Sequence, residues 1–258
     1  MKNECSHLKH QFSPKKIAYK TKILFTSTLP AKQILDKVVI LRDTTTRMVS
    51  RSLQFLFLLL VPFSSFSQAN YQVSIDLNNV VDDQLQVSIK LPEIQEDTIE
   101  FRFPKIVPGT YSIYDFGRFV SGFRAYDSEG HLLEVQELTA NRRLIKEANK
   151  LSRITYWVED TYDTDKGNFV FEPAGTNIAD GENFVLNTFG FIGYLEGHQN
   201  LPYSLEIKHP RQLYGGSGLH KVSTSDSLDT FTAPNYFDLA DGPIMYCEPD
   251  TVTFNLGD

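Results

Sequence analysis

The sequence predicts an all-β domain of antiparallel hairpins over residues 69–258. Three observations predict it. Apolar and polar residues alternate in short runs, turn-forming residues separate the runs, and no long stretch after residue 70 has a helical period.

The runs can be taken in order. YQVSIDL places Tyr71, Val73, Ile75 and Leu77 on one face, and QLQVSIKL does the same with Leu85, Val87, Ile89 and Leu91. TIEFRF contributes Ile99, Phe101 and Phe103, and SRITYWVE contributes Ile154, Tyr156 and Val158. YSLEIK adds Tyr203, Leu205 and Ile207. Successive side chains of a strand point to opposite faces, so each run gives one face to a core and the other to water. NNVVDD, DSEG at 127–130, DKGN at 165–168 and ADGEN at 179–183 are turn signals. The acidic stretch VEDTYDTDKGN reads as a solvated loop, and YGGSGLHK at 214–221 reads as a flexible loop.

Charge divides the chain. Of 25 Lys/Arg and 32 Asp/Glu, residues 1–68 hold eleven and three, a net of +8, which leaves −15 for the remainder. An acidic body excludes a nucleic-acid partner, which needs a basic face. At 41% hydrophobic and 12% aromatic, the chain has the material for a packed core.

The change of sign coincides with a targeting pattern. From Met48, Arg51 supplies a basic start, Leu53–Phe63 an apolar run, and SSFSQAN small residues for cleavage near Ser67 or Gln68. Residues 48–68 are therefore expected to be a signal peptide, and the mature protein to be exported, periplasmic or extracellular. The run is shorter than the roughly 20 apolar residues of a stable membrane span. Residues 1–47 precede this pattern and are expected to be a disordered, mis-called upstream extension. Of the two cysteines, Cys5 falls in that extension, so Cys247 is expected to pack as a small apolar residue without a disulfide partner.

The common catalytic patterns are each incomplete in this sequence. The mature histidines are His131, His198, His209 and His220, too far apart to share one helical turn as H-E-x-x-H requires. Counted from Asp163, a calcium loop would need Gly at its sixth place and Glu at its twelfth, where this chain has Asn168 and Ala174. Around Ser217, Leu219 replaces the last glycine of a nucleophile elbow. No residue is assigned as catalytic, cofactor-binding or metal-binding.

The stretch FPKIVPGTYSIYDFGRFVSGF, residues 103–123, is the most distinctive. Val107-Pro108-Gly109-Thr110 suits a type II turn. A short helical turn is expected within 113–119, across which Asp115 and Arg118 would pair. The stretch reads as the corner of a sheet, with its aromatics packed beneath.

These residues resemble the P-x-W-x-P-G-[ST]-Y-x-[IV]-R-D-F signature of the N-terminal domain of the glycyl aminopeptidase family of thermolysin-type zinc metallopeptidases. Pro104, Pro108, Gly109, Thr110, Tyr111, Ile113, Asp115 and Phe116 match, while Ile106 and Tyr114 replace a common Trp and Arg. Near the end, Tyr236, Leu239, Asp241, Pro243 and Ile244 resemble the family segment that leads into the catalytic domain. The resemblance implies a saddle-like or sandwich-like β domain that is itself non-catalytic and supports a catalytic domain. The family's zinc and its ligands belong to that domain, so no cofactor is expected in this chain. The expected partner is a missing or separately encoded catalytic domain, and the chain is expected to be a truncated fragment that is inactive alone. The alternative is a free-standing secreted β-sandwich that binds peptide or glycan. Trp157, Tyr162, Phe169 and Phe171 would line its site, although their strand-like spacing favours the core.

Overall fold

A computed structural model describes residues 69–250 and 252–253. The expected extension and signal peptide (residues 1–68, with Cys5) and most of the final TVTFNLGD lie outside the described residues.

Among the described residues, fifteen strands follow in chain order. The first eight are β1 (Tyr71–Asp76), β2 (Gln84–Lys90), β3 (Thr98–Arg102), β4 (Val120–Asp127), β5 (Val135–Thr139), β6 (Arg142–Lys146), β7 (Leu151–Glu159) and β8 (Asn177–Ala179). The others are β9 (Asn183–Leu186), β10 (Tyr194–Leu195), β11 (Tyr203–Lys208), β12 (Tyr214–Ser217), β13 (His220–Thr224), β14 (Leu228–Ala233) and β15 (Ile244–Cys247). Two helices of a single turn, α1 (Thr188–Phe191) and α2 (Tyr236–Ala240), stand among them. No helix among the described residues is long and apolar enough to cross a membrane.

The strands form three sheets. The largest runs β13-β14-β11-β1-β2-β7-β4, and the others run β10-β3-β6-β5 and β12-β15-β9-β8. The domain is mostly β as expected, and the five strands read from alternation lie at their predicted positions. β1 buries Tyr71, Val73 and Ile75 and turns Gln72 and Ser74 outward. One core is shared by all three sheets, with Val87 and Tyr156 from the first, Phe101 and Ile145 from the second, and Phe184 and Tyr246 from the third.

Two expectations need correction. The largest sheet is mixed rather than wholly antiparallel, because β1 pairs with β11 in parallel, Tyr71 against Tyr203 through Asp76 against Lys208. Parallel neighbours need a long crossover, which local alternation does not report. YGGSGLHK is not a flexible loop either. Tyr214–Ser217 pairs with β15, and His220 opens β13. Gly215 has a packing reason, since a Cβ there would lie 2.5 Å from Asp229 Oδ2 and 2.6 Å from the Tyr246 ring.

A second, smaller core underlies the distinctive stretch. Tyr114, Phe116 and Phe119 pack with Val170, Ala174 and Phe189, with Val107 and Ala240 against them.

Candidate interaction groove and its strapped loops

The turn forms as its residues dictate. Gly109 takes φ +88°, which an L side chain rarely adopts, and the Thr110 amide donates to Val107 O at 3.1 Å. The Thr110 hydroxyl also donates to Val107 O, at 2.7 Å. A one-turn 3-10 helix follows at Phe116–Phe119.

Asp115 and Arg118 do not pair with one another. Asp115 sits at φ 52° and accepts from Asn141 Nδ2 through Oδ1 at 2.7 Å. Asn141 is buried and accepts the Gly117 amide at 2.9 Å, while its carbonyl takes the Phe103 amide. Arg118 instead gathers backbone carbonyls. Its Nε donates to Tyr114 O at 2.9 Å, and its Nη atoms donate to Lys166 O, Gly167 O and Asn168 O. Burial lowers the proton affinity of this guanidinium, and the nearby Asp115 and Glu159 charges oppose that. Asn168 Nδ2 closes the strap on Ile113 O at 3.1 Å. Two loops, 104–116 and 163–170, are thereby tied to one another and to the smaller core.

The tied loops hold apolar groups out in water. Tyr111 is 91% exposed and Phe169 69% exposed, and Ile106, Ile113 and Phe171 are about half exposed. Tyr162 is exposed as well, so the strand-like spacing of Tyr162, Phe169 and Phe171 misleads: they stand on loops and not in the core. Trp157 is half-buried on β7.

Beside this face lies a groove of about 750 Å³. Phe103, Ile106, Val107, Tyr194, Tyr236 and Phe237 supply apolar and aromatic walls. Asp115, Asn141, Arg102, Arg142 and Lys105 supply its polar groups. The two arginines are already engaged: Glu100 accepts from both, and Arg102 also reaches Glu196 at 3.1 Å. Beneath it, Arg143 is buried near the Phe103 and Phe123 rings and donates to Ala140 O.

The histidines stand apart. His131 is beside Asp127, His198 beside Glu96, and His220 is exposed at the start of β13. His209 is buried, with Nδ1 3.0 Å from Pro210 O. Sequence counting did miss one acidic gathering: Asp83, Asp160 and Asp163 bring their carboxylates within 4.8 Å of one another. Asp160 is committed to structure, since it accepts the Tyr162 and Ile178 amides. Burial, and then the neighbouring acids, raises the pKa of Asp160 despite those amides. Asp83 is far away in sequence, so no local pattern reveals the group. Cys247 is a half-buried free thiol on β15.

The described residues form a mostly-β domain of three sheets, and comparison places it more narrowly. The profile of the peptidase M61 N-terminal domain matches residues 72–248, so the chain belongs to the M61 peptidase family as its N-terminal domain. The resemblance read from the VPGTY stretch is borne out. Among solved structures, the chain is similar to an aminopeptidase N family protein from Idiomarina loihiensis, with 22% identity and a TM-score of 0.59. That alignment covers 69% of this chain and 29% of the other, so the chain spans under a third of that protein's length. It is more distantly similar to an M1 zinc metallopeptidase from Deinococcus radiodurans bound to a Tyr-Ser-Ala substrate. There the identity is 13%, the TM-score 0.39, and the coverage 69% of this chain and 42% of the other. No curated protein matches the sequence.

Proposed function

We propose that this chain is the non-catalytic, saddle-like N-terminal domain of an exported glycyl aminopeptidase-like metallopeptidase, and that it supports a catalytic domain lying outside these 258 residues. Zinc and the chemistry belong to that domain. In this reading residues 48–68 are a cleaved signal peptide, residues 1–47 an upstream extension, and the product periplasmic or extracellular. The observation that carries it is the strapped apolar face. Tyr111, Phe169 and their neighbours stand exposed on loops that Arg118 holds rigid, and a large exposed apolar patch marks an interaction site. The test is to tag the chain in its native host and isolate it from the exported fraction. The expected result is co-purification of chelator-sensitive aminopeptidase activity, lost when Phe169→Asp and Ile113→Asp are introduced. A lone chain that starts at Met1 and has no associated activity would overturn the proposal.

The groove favours a second reading, a secreted module that binds peptide or glycan on its own. A concave, largely apolar site with a few convergent polar groups is what ligand pockets look like.

A further inference from the structure

Among the described residues, five basic side chains have neither a carboxylate within ion-pair distance nor backbone carbonyls to hold: Lys90, Lys105, Arg124, Arg153 and Arg211. Lys105 and Arg211 stand singly, on the loops after β3 and after β11. The other three gather on one face of the largest sheet. Lys90 on β2 is directly opposite Arg153 on β7, Arg153 is opposite Tyr126 on β4, and Arg124 is opposite Thr155 one row further along. Alternation turns them away from the core, which takes Ile89, Ile154 and Ala125 from the same strands. Like charges directly opposite one another destabilise a sheet. Three together, unpaired, are out of place in a body of net charge −15.

These side chains are positioned. Arg153 lies over the Tyr126 ring, 4.5 Å from its centroid. The Thr155 hydroxyl, and then Arg124 and Arg153, hold the Tyr126 phenol below its ordinary range against the effect of burial. Four residues along β7, about 14 Å away, Trp157 stands half-buried, opposite Gln86 and Ser121. A bulge in β4 makes room for it. The register shifts between Ser121 and Arg124, and Gly122 at φ +61° lies against the indole, where a Cβ would be 3.2 Å from Trp157 Cδ1. Ser88 and Thr155 place hydroxyls between the two ends. The surrounding acids are engaged: Glu159 with Lys166, Asp76 with Lys208, and Asp127 with His131 and two backbone amides. Glu206 on β11, in the row of Ser74, bounds the patch on its far side.

We infer that the outer face of β2, β7 and β4 binds an acidic polysaccharide, with Arg124, Arg153 and Lys90 on its anionic groups and Trp157 against a sugar ring. Each part of the face matches a part of such a ligand. The guanidinium fork suits a carboxylate or a sulfate. The Ser88 and Thr155 hydroxyls both donate and accept, as sugar hydroxyls do. The indole offers a rigid apolar surface with a polar tip. An anionic membrane would meet the same cations, but none of the large exposed hydrophobic side chains stands on β2, β7 or β4 to enter it. An acidic peptide would satisfy the cations, yet its extended backbone brings no ring to Trp157. The anion can be a uronate carboxylate or a sulfate ester. The face lies outside the strapped loops and the groove, so this binding and the proposed function can fail separately.

The test titrates the 258-residue chain by calorimetry and by the emission of its single tryptophan, Trp157. The probes are an oligogalacturonate, its methyl ester, a sulfated oligosaccharide, an oligoglutamate of equal charge, and vesicles of anionic phospholipid. An acidic oligosaccharide is expected to bind, to shift the Trp157 emission and to bind more weakly as salt is raised. Binding of the uronate alone assigns a carboxylate, of the sulfated probe alone a sulfate, and of both either anion. Arg124→Gln and Arg153→Gln are each expected to weaken binding about tenfold or more, the loss of a charge-assisted hydrogen bond. Both side chains point to water, and a melting curve checks each fold. Arg211→Gln, which removes the same charge from a distant loop, is expected to leave affinity unchanged. The inference is overturned if neither acidic oligosaccharide binds or if the methyl ester, the oligoglutamate or the vesicles bind as well. It is overturned too if Arg124→Gln and Arg153→Gln bind as wild type does, or if Arg211→Gln loses as much as they do.

Discussion

Tyr246 on β15 donates its hydroxyl to Asp229 Oδ2 on β14 at 3.0 Å, joining two different sheets through a buried contact. Lys221 reaches the same oxygen at 3.2 Å and also donates to Gly215 O on β12. Burial works against the Asp229 charge, but hydrogen bonds from Thr224, Tyr246 and Lys221 outweigh it and hold the carboxyl below its ordinary range. Asp229→Ala would leave Tyr246 Oη buried without its acceptor and Lys221 without its counter-charge. The expected loss is about 3 kcal/mol or more, read from urea unfolding. A depressed carboxyl stabilises above its unfolded pKa and ceases to do so as pH falls through the folded value. The difference between wild type and Asp229→Asn should therefore be full at neutral pH and shrink in acid.

Glu100 provides a second, more exposed acid test. The Arg142 hydrogen bond, opposed by partial burial and joined by Arg102, pushes its carboxyl down to about 2. Glu100→Gln should lower the urea midpoint by the same amount at all pH values above the ordinary carboxyl range. The gap should then narrow as pH falls toward about 2. Fluorescence of the single tryptophan, Trp157, reports both transitions. A gap that persists unchanged at the acid end would contradict this placement of the charge.

Gly117→Ala tests the floor of the groove. An added Cβ would lie 2.1 Å from Ala140 O and 2.9 Å from Asn141 Cα, both backbone atoms with little room to yield. The expected cost is about 2 kcal/mol. Amide exchange should quicken at Gly117 and Phe103, the two amides that Asn141 accepts.

Arg118→Lys keeps the charge but loses the planar fork that spans four carbonyls. Limited proteolysis should then cut after Lys166 faster than in wild type, with the large sheet intact by circular dichroism. Equal cutting rates would mean that the strap does not hold the loop.

Strands with one wet face were legible from their letters: β1, β2, β3, β7 and β11 stand where alternation put them. Others were not. β12 is half glycine, and the Asp229 carboxylate and Tyr246 ring crowd one of the two, Gly215, a contact that no local pattern reports. The turn at Gly109 was also legible, because Pro-Gly encodes it locally. The Asp115–Arg118 pairing was misread for the opposite reason. Three-residue spacing makes such a pair available, and the choice fell instead to Asn141 and to the carbonyls of 166–168, which no local rule names. The groove was invisible for the same cause, since its walls come from β3, the turn after it, β10 and α2.

The parallel pairing of β1 with β11 has a bearing on how the chain reaches its folded state. β1 is central in the largest sheet, between β2 and β11. During synthesis Tyr71 emerges early, yet its partner Tyr203 follows only about 130 residues later. Until then one edge of β1 is open and offers unpaired amides and carbonyls to any neighbouring strand. The interval in which the chain is vulnerable to mispairing is thus set by the delivery of Tyr203–Lys208.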